Sequence, residues 1–284
     1  MGRNRDAVLI SAERLMNAES QAPAILDVRW RLDQPDGRVP YLAGHIPGAV
    51  YVSLEDELSD HTRPGLGRHP LPTGAALESA ARRWGLRRHQ PVVVYDDWNR
   101  AGSARAWWVL TAAGFDDVRI LDGGLAAWTA AGGELQSGPV SPPAGDVTVV
   151  YEDLYAGGRP VRSADEIAGG AVTMVLDARA PERFRGEVEP VDPVAGHIPG
   201  ARNLPSMAVL GPDGRFLPDD RLAALADESG VGPSVGVYCG SGVTASVVLA
   251  ALNAIGLDGA LFPGSWSQWS GEDRPVERGD WSAG

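Results

Sequence analysis

The sequence predicts an α/β protein made of two tandem domains, each with a mainly parallel β-sheet flanked by helices. Three observations support this prediction. One six-residue motif occurs twice, short apolar runs alternate with helical patterns in both halves, and a segment rich in glycine, proline and serine lies between the halves. The length of 284 residues also favours two domains, because it is long for a single hydrophobic core.

The duplication extends beyond the motif itself. The sequence Gly-His-Ile-Pro-Gly-Ala at residues 44–49 recurs without change at residues 196–201. In each half, an apolar run with an aspartate and an arginine at its end precedes the motif, and a second apolar run follows it: residues 24–29 and 92–95, then residues 174–179 and 235–238. The same order of segments in both halves indicates two homologous domains.

The segment between the halves predicts a linker. Residues 132–145 contain repeated glycine, proline and serine, which cannot continue a helix. We therefore place the domain boundary near residue 145, with an N-terminal domain at 1–145 and a C-terminal domain at 146–284.

Each half also contains two helical patterns, one on either side of its second apolar run: residues 77–86 and 101–113, then residues 221–229 and 244–255. Gly114 and Gly256 are typical helix ends. Strands that alternate with helices predict βαβ units and a parallel sheet. Such sheets bind ligands at the carboxyl ends of their strands, so the residues after each second apolar run are the first candidates for a site.

The composition argues against several classes of partner. A net charge of −12 disfavours nucleic acid, whose phosphates require concentrated basic side chains. No run of about 18 apolar residues is present, so we expect no membrane span. The start of the chain lacks a signal-peptide core, so we expect a cytoplasmic protein. Five histidines and one cysteine show no metal-ligand spacing, and we expect neither a metal nor an organic cofactor.

The single cysteine occupies a position suited to nucleophilic chemistry. Cys239 directly follows the apolar run 235–238 and precedes a helix. The loop between them consists of Gly240, Ser241, Gly242, Val243 and Thr244. Its two glycines allow backbone N–H groups to turn inward, and the helix N-terminus adds partial positive charge. Such a loop stabilises a thiolate, the form of cysteine that attacks sulfur.

Cysteine-loop phosphatases and arsenate reductases use a similar strand, loop and helix. They need an arginine six residues after the cysteine, which holds the oxyanion of the substrate. Position 245 is alanine in this chain, so this alternative lacks its main binding group.

The duplicated halves, the paired Gly-His-Ile-Pro-Gly-Ala motifs and the loop after Cys239 resemble the tandem-domain rhodaneses, over nearly the whole chain. The resemblance implies two rhodanese-like domains, of which only the C-terminal one is catalytic. The first half agrees with this, because Asp96 stands at the position that matches Cys239.

The resemblance further implies a sulfurtransferase. A small anionic donor, 3-mercaptopyruvate or thiosulfate, would load a persulfide on Cys239, and a thiophilic acceptor such as cyanide, a small thiol or a protein thiol would remove the sulfur. The loop is similar to that of the 3-mercaptopyruvate enzymes, since thiosulfate-preferring members usually carry Arg-Lys after the cysteine. A sulfur carrier loaded by a partner desulfurase remains an alternative.

The resemblance also suggests roles for residues outside the loop. Arg183 matches the arginine that binds the donor's carboxylate or sulfonate, and a surface ion pair is the alternative role for it. A second arginine of the 3-mercaptopyruvate enzymes has Val191 at its position, so one cation of the expected pair is missing. Ser241 would hydrogen-bond the donor, relay a proton or stabilise the loop. In the first domain, a polar segment supplies His69 and Asp56 as candidates for a proton relay.

Overall fold

The computed structural model describes residues 2–18 and 22–280, and it confirms two parallel-sheet α/β units. In the described part of the first half, five parallel strands lie in the order β1-β5-β4-β2-β3. The strands are β1 (Leu9–Ile10), β2 (Ala24–Asp27), β3 (Val50–Tyr51), β4 (Val92–Tyr95) and β5 (Val118–Leu121).

The second sheet repeats this arrangement. Its named strands lie parallel in the order β7-β6-β8-β9. They are β6 (Met174–Asp177), β7 (Arg202–Asn203), β8 (Val235–Tyr238) and β9 (Ala260–Leu261). Val161 forms a parallel bridge with Leu261, which places it at the edge that β1 occupies in the first sheet. The predicted duplication is therefore present in the strand order.

Helices cover the faces of both sheets. The first unit contains α1 (Gly2–Val8), α2 (Ala12–Met16), α3 (Arg38–Ala43), α4 (Leu54–Glu57), α5 (Gly74–Arg83), α6 (Ala101–Ala112) and α7 (Gly124–Ala130). The second contains α8 (Ala164–Ala168), α9 (Pro181–Phe184), α10 (Asp219–Glu228), α11 (Ala245–Ala254) and α12 (Ser265–Gly271), with short 3₁₀ turns at Leu154–Ala156 and Ser206–Val209.

Two of these helices join the halves. The helices α6 and α11 are apolar around nearly their whole circumference, and they pack against each other at the junction. Trp107 and Trp108 of α6 belong to the same continuous core as Val247 and Val248 of α11. Helices that are apolar on all sides need burial on all sides, and the space between the two sheets provides it. The boundary near residue 145 stays a prediction.

Among residues 2–18 and 22–280, no helix has both the length and the apolar character that a membrane crossing requires.

Candidate active site

Cys239 lies at the carboxyl end of β8, where the sequence predicted a site. Only 2% of the residue is exposed. Its N–H donates to the Ser265 hydroxyl at 3.1 Å, and its carbonyl accepts the N–H of Trp266 at 3.0 Å. The start of α12 therefore fixes the backbone on which the thiol is mounted.

The loop after Cys239 directs a backbone donor at the sulfur. The N–H of Gly242 points at Sγ of Cys239, with a nitrogen–sulfur distance of 3.1 Å. Gly242 has φ +78°, and a side chain there would place Cβ 2.5 Å from the carbonyl oxygen of Pro263. Glycine is therefore required at this position. Val243 packs into the core, and Thr244 precedes α11 without a side-chain capping bond.

A relay of side chains reaches the loop from the first domain. His69 is buried, and its Nδ1 lies 2.7 Å from the hydroxyl of Ser241. Its Nε2 lies 3.1 Å from Oε1 of Glu55, which also accepts the indole N–H of Trp30 at 2.6 Å. His61 contacts the other oxygen of Glu55 at 3.0 Å. This is a hydroxyl–imidazole–carboxylate chain, the arrangement in which a histidine moves protons.

Burial and hydrogen bonding set the protonation states of His69 and Glu55. Burial lowers the pKa of His69, and the hydrogen bond to Glu55 offsets only part of that effect, so the imidazole is neutral at neutral pH. Burial alone would raise the pKa of Glu55, but the hydrogen bonds from His69 and Trp30 outweigh it and lower that pKa to about 2. The resting relay is therefore a neutral imidazole that donates to a carboxylate and accepts from Ser241.

The carboxylate of the relay is Glu55, and the predicted partner Asp56 lies elsewhere. Asp56 accepts a hydrogen bond from the Ser53 hydroxyl at 2.8 Å, and its own N–H donates to that hydroxyl at 3.2 Å. It thus belongs to the N-terminal cap of α4. Consecutive helical residues point about 100° apart, which turns Glu55 towards His69 and Asp56 away from it.

Arg105 connects the relay segment to the cysteine loop. It is completely buried on α6, and its guanidinium donates to carbonyl oxygens of both domains. The bonds reach Leu58 at 3.1 Å, His69 at 2.9 Å and Gly242 at 3.3 Å. Burial lowers the pKa of Arg105 to about 10, so it remains charged at neutral pH. A buried cation consequently supports both the histidine and the loop that carries the thiol.

The guanidinium of Arg183 lies near the cysteine loop, where it is paired with two acidic side chains. Its Nη2 lies 2.5 Å from Oε1 of Glu189 and 3.3 Å from Oδ2 of Asp192. Asp192 is also paired with Arg68 of the first domain. Burial raises the pKa of Asp192, and the neighbouring arginines act in the opposite direction. Val191, where a second arginine was expected, is partly exposed next to this cluster.

In the first domain, the carboxylate of Asp96 occupies the position that matches the Cys239 thiol. One oxygen of Asp96 accepts the N–H groups of Trp98 and Arg100, at 3.0 Å and 3.3 Å. The other accepts the N–H and the hydroxyl of Ser103, at 3.0 Å and 2.6 Å. The Arg100 guanidinium adds an ion pair at 2.8 Å. The donors of this loop therefore bind the carboxylate of Asp96, in the place where the second loop holds the thiol.

Three further residues contribute to the candidate site without having been singled out from the sequence. Glu55 was overlooked beside Asp56, and Arg68 beside His69. Arg105 had a usable signal, because it interrupts the apolar residues 104–109, and a buried charge without an acidic partner nearby in sequence indicates a special role. Among the described residues, no three potential metal ligands of the histidine, cysteine or carboxylate type come together.

Comparison with known proteins agrees with the fold. The Rhodanese-like domain family matches residues 11–131 and 162–272. The chain is 62% identical to "Putative thiosulfate sulfurtransferase SseB" of Mycobacterium tuberculosis, over 97% of this chain and 98% of the relative. It is 38% identical to the 3-mercaptopyruvate sulfurtransferase of Escherichia coli, over 94% and 95% of the two chains.

Solved structures show the same likeness in three dimensions. The 3-mercaptopyruvate sulfurtransferase from Leishmania major superposes with a TM-score of 0.83 at 31% identity, over 97% of this chain and 77% of that chain. SseA from Escherichia coli, whose structure is described as showing the rhodanese fold, superposes with a TM-score of 0.78 at 33% identity, over 91% and 98%. This chain belongs to the tandem-domain rhodanese family of sulfurtransferases.

Proposed function

We propose that this enzyme transfers sulfane sulfur from 3-mercaptopyruvate to a thiophilic acceptor through a persulfide on Cys239. The observation that carries the proposal is the Cys239 loop: a single buried thiol receives the N–H of Gly242 and lies beside Ser241, which contacts His69. Thiosulfate is the alternative donor. Cyanide, a small thiol or a protein thiol is the acceptor. Cytoplasmic residence stays a prediction.

The first half-reaction breaks the carbon–sulfur bond of the donor. The Cys239 thiolate attacks the donor's sulfur, the new sulfur–sulfur bond forms, and the carbon–sulfur electron pair passes to the carbon that becomes the methyl group of pyruvate. The donor's thiol proton passes through Ser241 to neutral His69 and then to that carbon. Glu55 stabilises the imidazolium in between.

The second half-reaction restores the enzyme. The acceptor attacks the outer sulfur of the persulfide, the sulfur–sulfur bond breaks, and its electron pair returns to Cys239 as the thiolate. With cyanide the product is thiocyanate. The N–H of Gly242 serves both half-reactions, because the attacking and the departing species are sulfur anions at the same place.

The relay supports 3-mercaptopyruvate over thiosulfate. A carbon leaving group must gain a proton, whereas the sulfite released from thiosulfate leaves as a stable anion and needs none. A histidine with a hydroxyl on one nitrogen and a carboxylate on the other suits the first reaction. The loop also lacks a basic side chain that would face the second charge of thiosulfate.

Parallel steady-state kinetics test this proposal. Wild-type enzyme is measured with each donor and with cyanide as acceptor, alongside Ser241→Ala. We expect higher kcat/KM with 3-mercaptopyruvate, and we expect Ser241→Ala to lower kcat about 100-fold with that donor but little with thiosulfate. More efficient turnover of thiosulfate by the wild type would overturn the donor assignment. No turnover with either small donor would favour a carrier loaded by a partner desulfurase.

A further inference from the structure

Two arginines from different domains converge beside the thiol. Arg183 lies on α9 of the second domain, and Arg68 directly precedes the relay histidine of the first. A Cβ atom placed on Gly240, the residue after Cys239, would lie 3.0 Å from Nη2 of Arg68 and 3.6 Å from Nη1 of Arg183. Both guanidinium groups therefore lie beside the residue that directly follows the thiol.

These two arginines share one carboxylate of the protein itself. Oδ1 of Asp192 accepts from Nη1 of Arg68, and Oδ2 accepts from Nη2 of Arg183 at 3.3 Å. Only 4% of the Asp192 side chain is exposed. The pair is thus spaced to hold a carboxylate between two guanidinium groups, which is the recognition geometry that arginine favours.

The partners of each arginine differ in how firmly they are held. Glu189 pairs with Arg183 at 2.5 Å and with Arg179 at 3.2 Å, and its Oε1 also accepts the backbone N–H groups of Val191 and Asp192, both at 3.1 Å. Asp192 also has two cationic partners, but its carboxylate is held by the side chains of Arg68 and Arg183. Within the described ranges, Asp192 is the only acidic partner of Arg68, and the buried Nε of Arg68 has no hydrogen-bond partner. Asp192 lies in a segment without helix or strand at residues 187–195. Its carboxylate is therefore the one suited to exchange.

Resting on the proposed function, we propose that Arg68 is the second cation of the donor site, and that the donor's carboxylate displaces Asp192 from between Arg68 and Arg183. The silent domain then contributes to donor recognition. Arg68 supplies, from the first domain, the second positive charge that Val191 does not provide.

Alkylation of Cys239 tests this proposal without any sulfur transfer. Iodoacetate and iodoacetamide react with the same thiol and release the same iodide, but only iodoacetate carries a carboxylate. Since Cys239 is the only cysteine, the loss of free thiol reports one site. The measured quantity is the rate with iodoacetate divided by the rate with iodoacetamide, for wild type, Arg68→Gln and Asp192→Asn.

The proposal predicts opposite effects of these two substitutions. Arg68→Gln should lower the ratio about tenfold, the loss expected for one charge-assisted hydrogen bond to a partly exposed cation. Asp192→Asn should raise it, because the competing carboxylate is gone. The matched control is Arg185→Gln, which removes the same charge from an arginine paired with Glu187 and should leave the ratio nearly unchanged.

A purely structural role for Arg68 gives a different result. Arg68→Gln and Asp192→Asn break the same ion pair, so a structural role predicts shifts of the same sign, or none, and either outcome would overturn the proposal. If Arg68→Gln does not fold, Arg68→Lys keeps the charge but loses the paired N–H groups, and it must still lower the ratio. If the alkylation ratios change as expected but the wild-type enzyme transfers no sulfur, only the proposed function is contradicted. If the enzyme transfers sulfur but the alkylation ratio is unchanged in Arg68→Gln, only this inference is contradicted.

Discussion

At the scale of single residues, the site depends on side chains whose charge is set by burial. His69 is buried and neutral because desolvation outweighs the nearby carboxylate of Glu55. In the proposed reaction, that state lets His69 accept a proton through Ser241, and the carboxylate of Glu55 then stabilises the charge that His69 acquires. We therefore expect the relay to fail at low pH, where His69 is already protonated.

The pH dependence of turnover follows from the lowered pKa of His69. We expect kcat/KM with 3-mercaptopyruvate to fall on the acid side, at a pH below the ordinary histidine value of about 6.5, as His69 becomes protonated before the donor binds. Glu55→Gln removes the charge that favours the imidazolium. It should move this acid limb to lower pH and reduce kcat about tenfold or more.

A pH series of initial rates for both forms, repeated with thiosulfate as the control donor, checks this expectation. An acid limb that moves to higher pH in Glu55→Gln, or one that is equally present with thiosulfate, would show that His69 is not the titrating relay.

Part of this residue-scale detail could be predicted from the sequence. Cys239 and its loop follow from the strand and glycine pattern, and the structure places them as expected. Glu55 and Asp56 could not be separated, because α4 spans a single turn and its orientation depends on packing against the rest of the domain. Arg68 reaches the cysteine loop only through the arrangement of the two domains, which the sequence pattern does not contain.

At the scale of elements, the two domains use one loop design for different purposes. In the second domain the loop after β8 holds a reactive thiol, and in the first the loop after β4 holds the carboxylate of Asp96. Asp96 accepts hydrogen bonds from three backbone N–H groups and a hydroxyl, and it pairs with buried Arg100. We therefore expect Asp96 to contribute more to the stability of the folded protein than an ordinary helix-capping side chain does.

Asp96→Ala is expected to destabilise the protein strongly and leave the chemistry intact. Removing one partner of a buried ion pair costs about 3–5 kcal/mol, because Arg100 would remain buried without a counter-charge. The free energy of unfolding from urea titration measures this loss. Under conditions where the variant is folded, sulfur transfer should stay within about an order of magnitude of wild type. A stable variant that has lost turnover would place the first loop in the reaction.

The sequence predicted the helices and the central strands better than the strands at the edges of the two sheets. The helix expected at 101–113 spans Ala101–Ala112, because its apolar pattern coincides with burial on all sides. The helix expected at 77–86 spans Gly74–Arg83 instead, since the Thr73 hydroxyl caps its start by accepting the N–H of Ala76. The two-residue edge strands β1 and β9 depend on pairing with neighbours, which a local pattern does not reveal.

At the scale of the whole molecule, the candidate active site lies where the two domains meet. The second domain supplies Cys239 and its loop, and the first supplies His69. Arg105 connects the two domains, because its guanidinium donates to the carbonyl oxygens of His69 and Gly242. The hydrophobic core also runs without interruption from α6 to α11. The first domain therefore contributes side chains to the candidate active site.

Arg105→Lys should reveal this dependence. A lysine has one compact ammonium group, so it cannot satisfy the carbonyls of Leu58, His69 and Gly242 at once. We expect a lower melting temperature and about a tenfold or greater loss of kcat with both donors, since the thiol loop itself loses support. The test is thermal unfolding combined with kinetics. A loss confined to 3-mercaptopyruvate would instead assign Arg105 to the proton relay.

Equilibrium unfolding should be a single transition, because the two domains share one core. Tryptophan fluorescence and the reactivity of Cys239 towards iodoacetamide, followed through the same urea series, should give coincident midpoints. Two separated midpoints would show that the domains unfold independently and that their interface is weaker than the shared core implies.

In the proposed reaction, Cys239 carries the transferred sulfur. Intact-mass spectrometry of the enzyme after brief treatment with 3-mercaptopyruvate, without acceptor, tests this role. We expect a mass increase of one sulfur atom, mapped to the peptide that contains Cys239. The added mass should be lost on addition of cyanide, with formation of thiocyanate, and should be absent in Cys239→Ser. Sulfur transfer by the Cys239→Ser variant, or turnover by the wild type without any sulfur on Cys239, would contradict it.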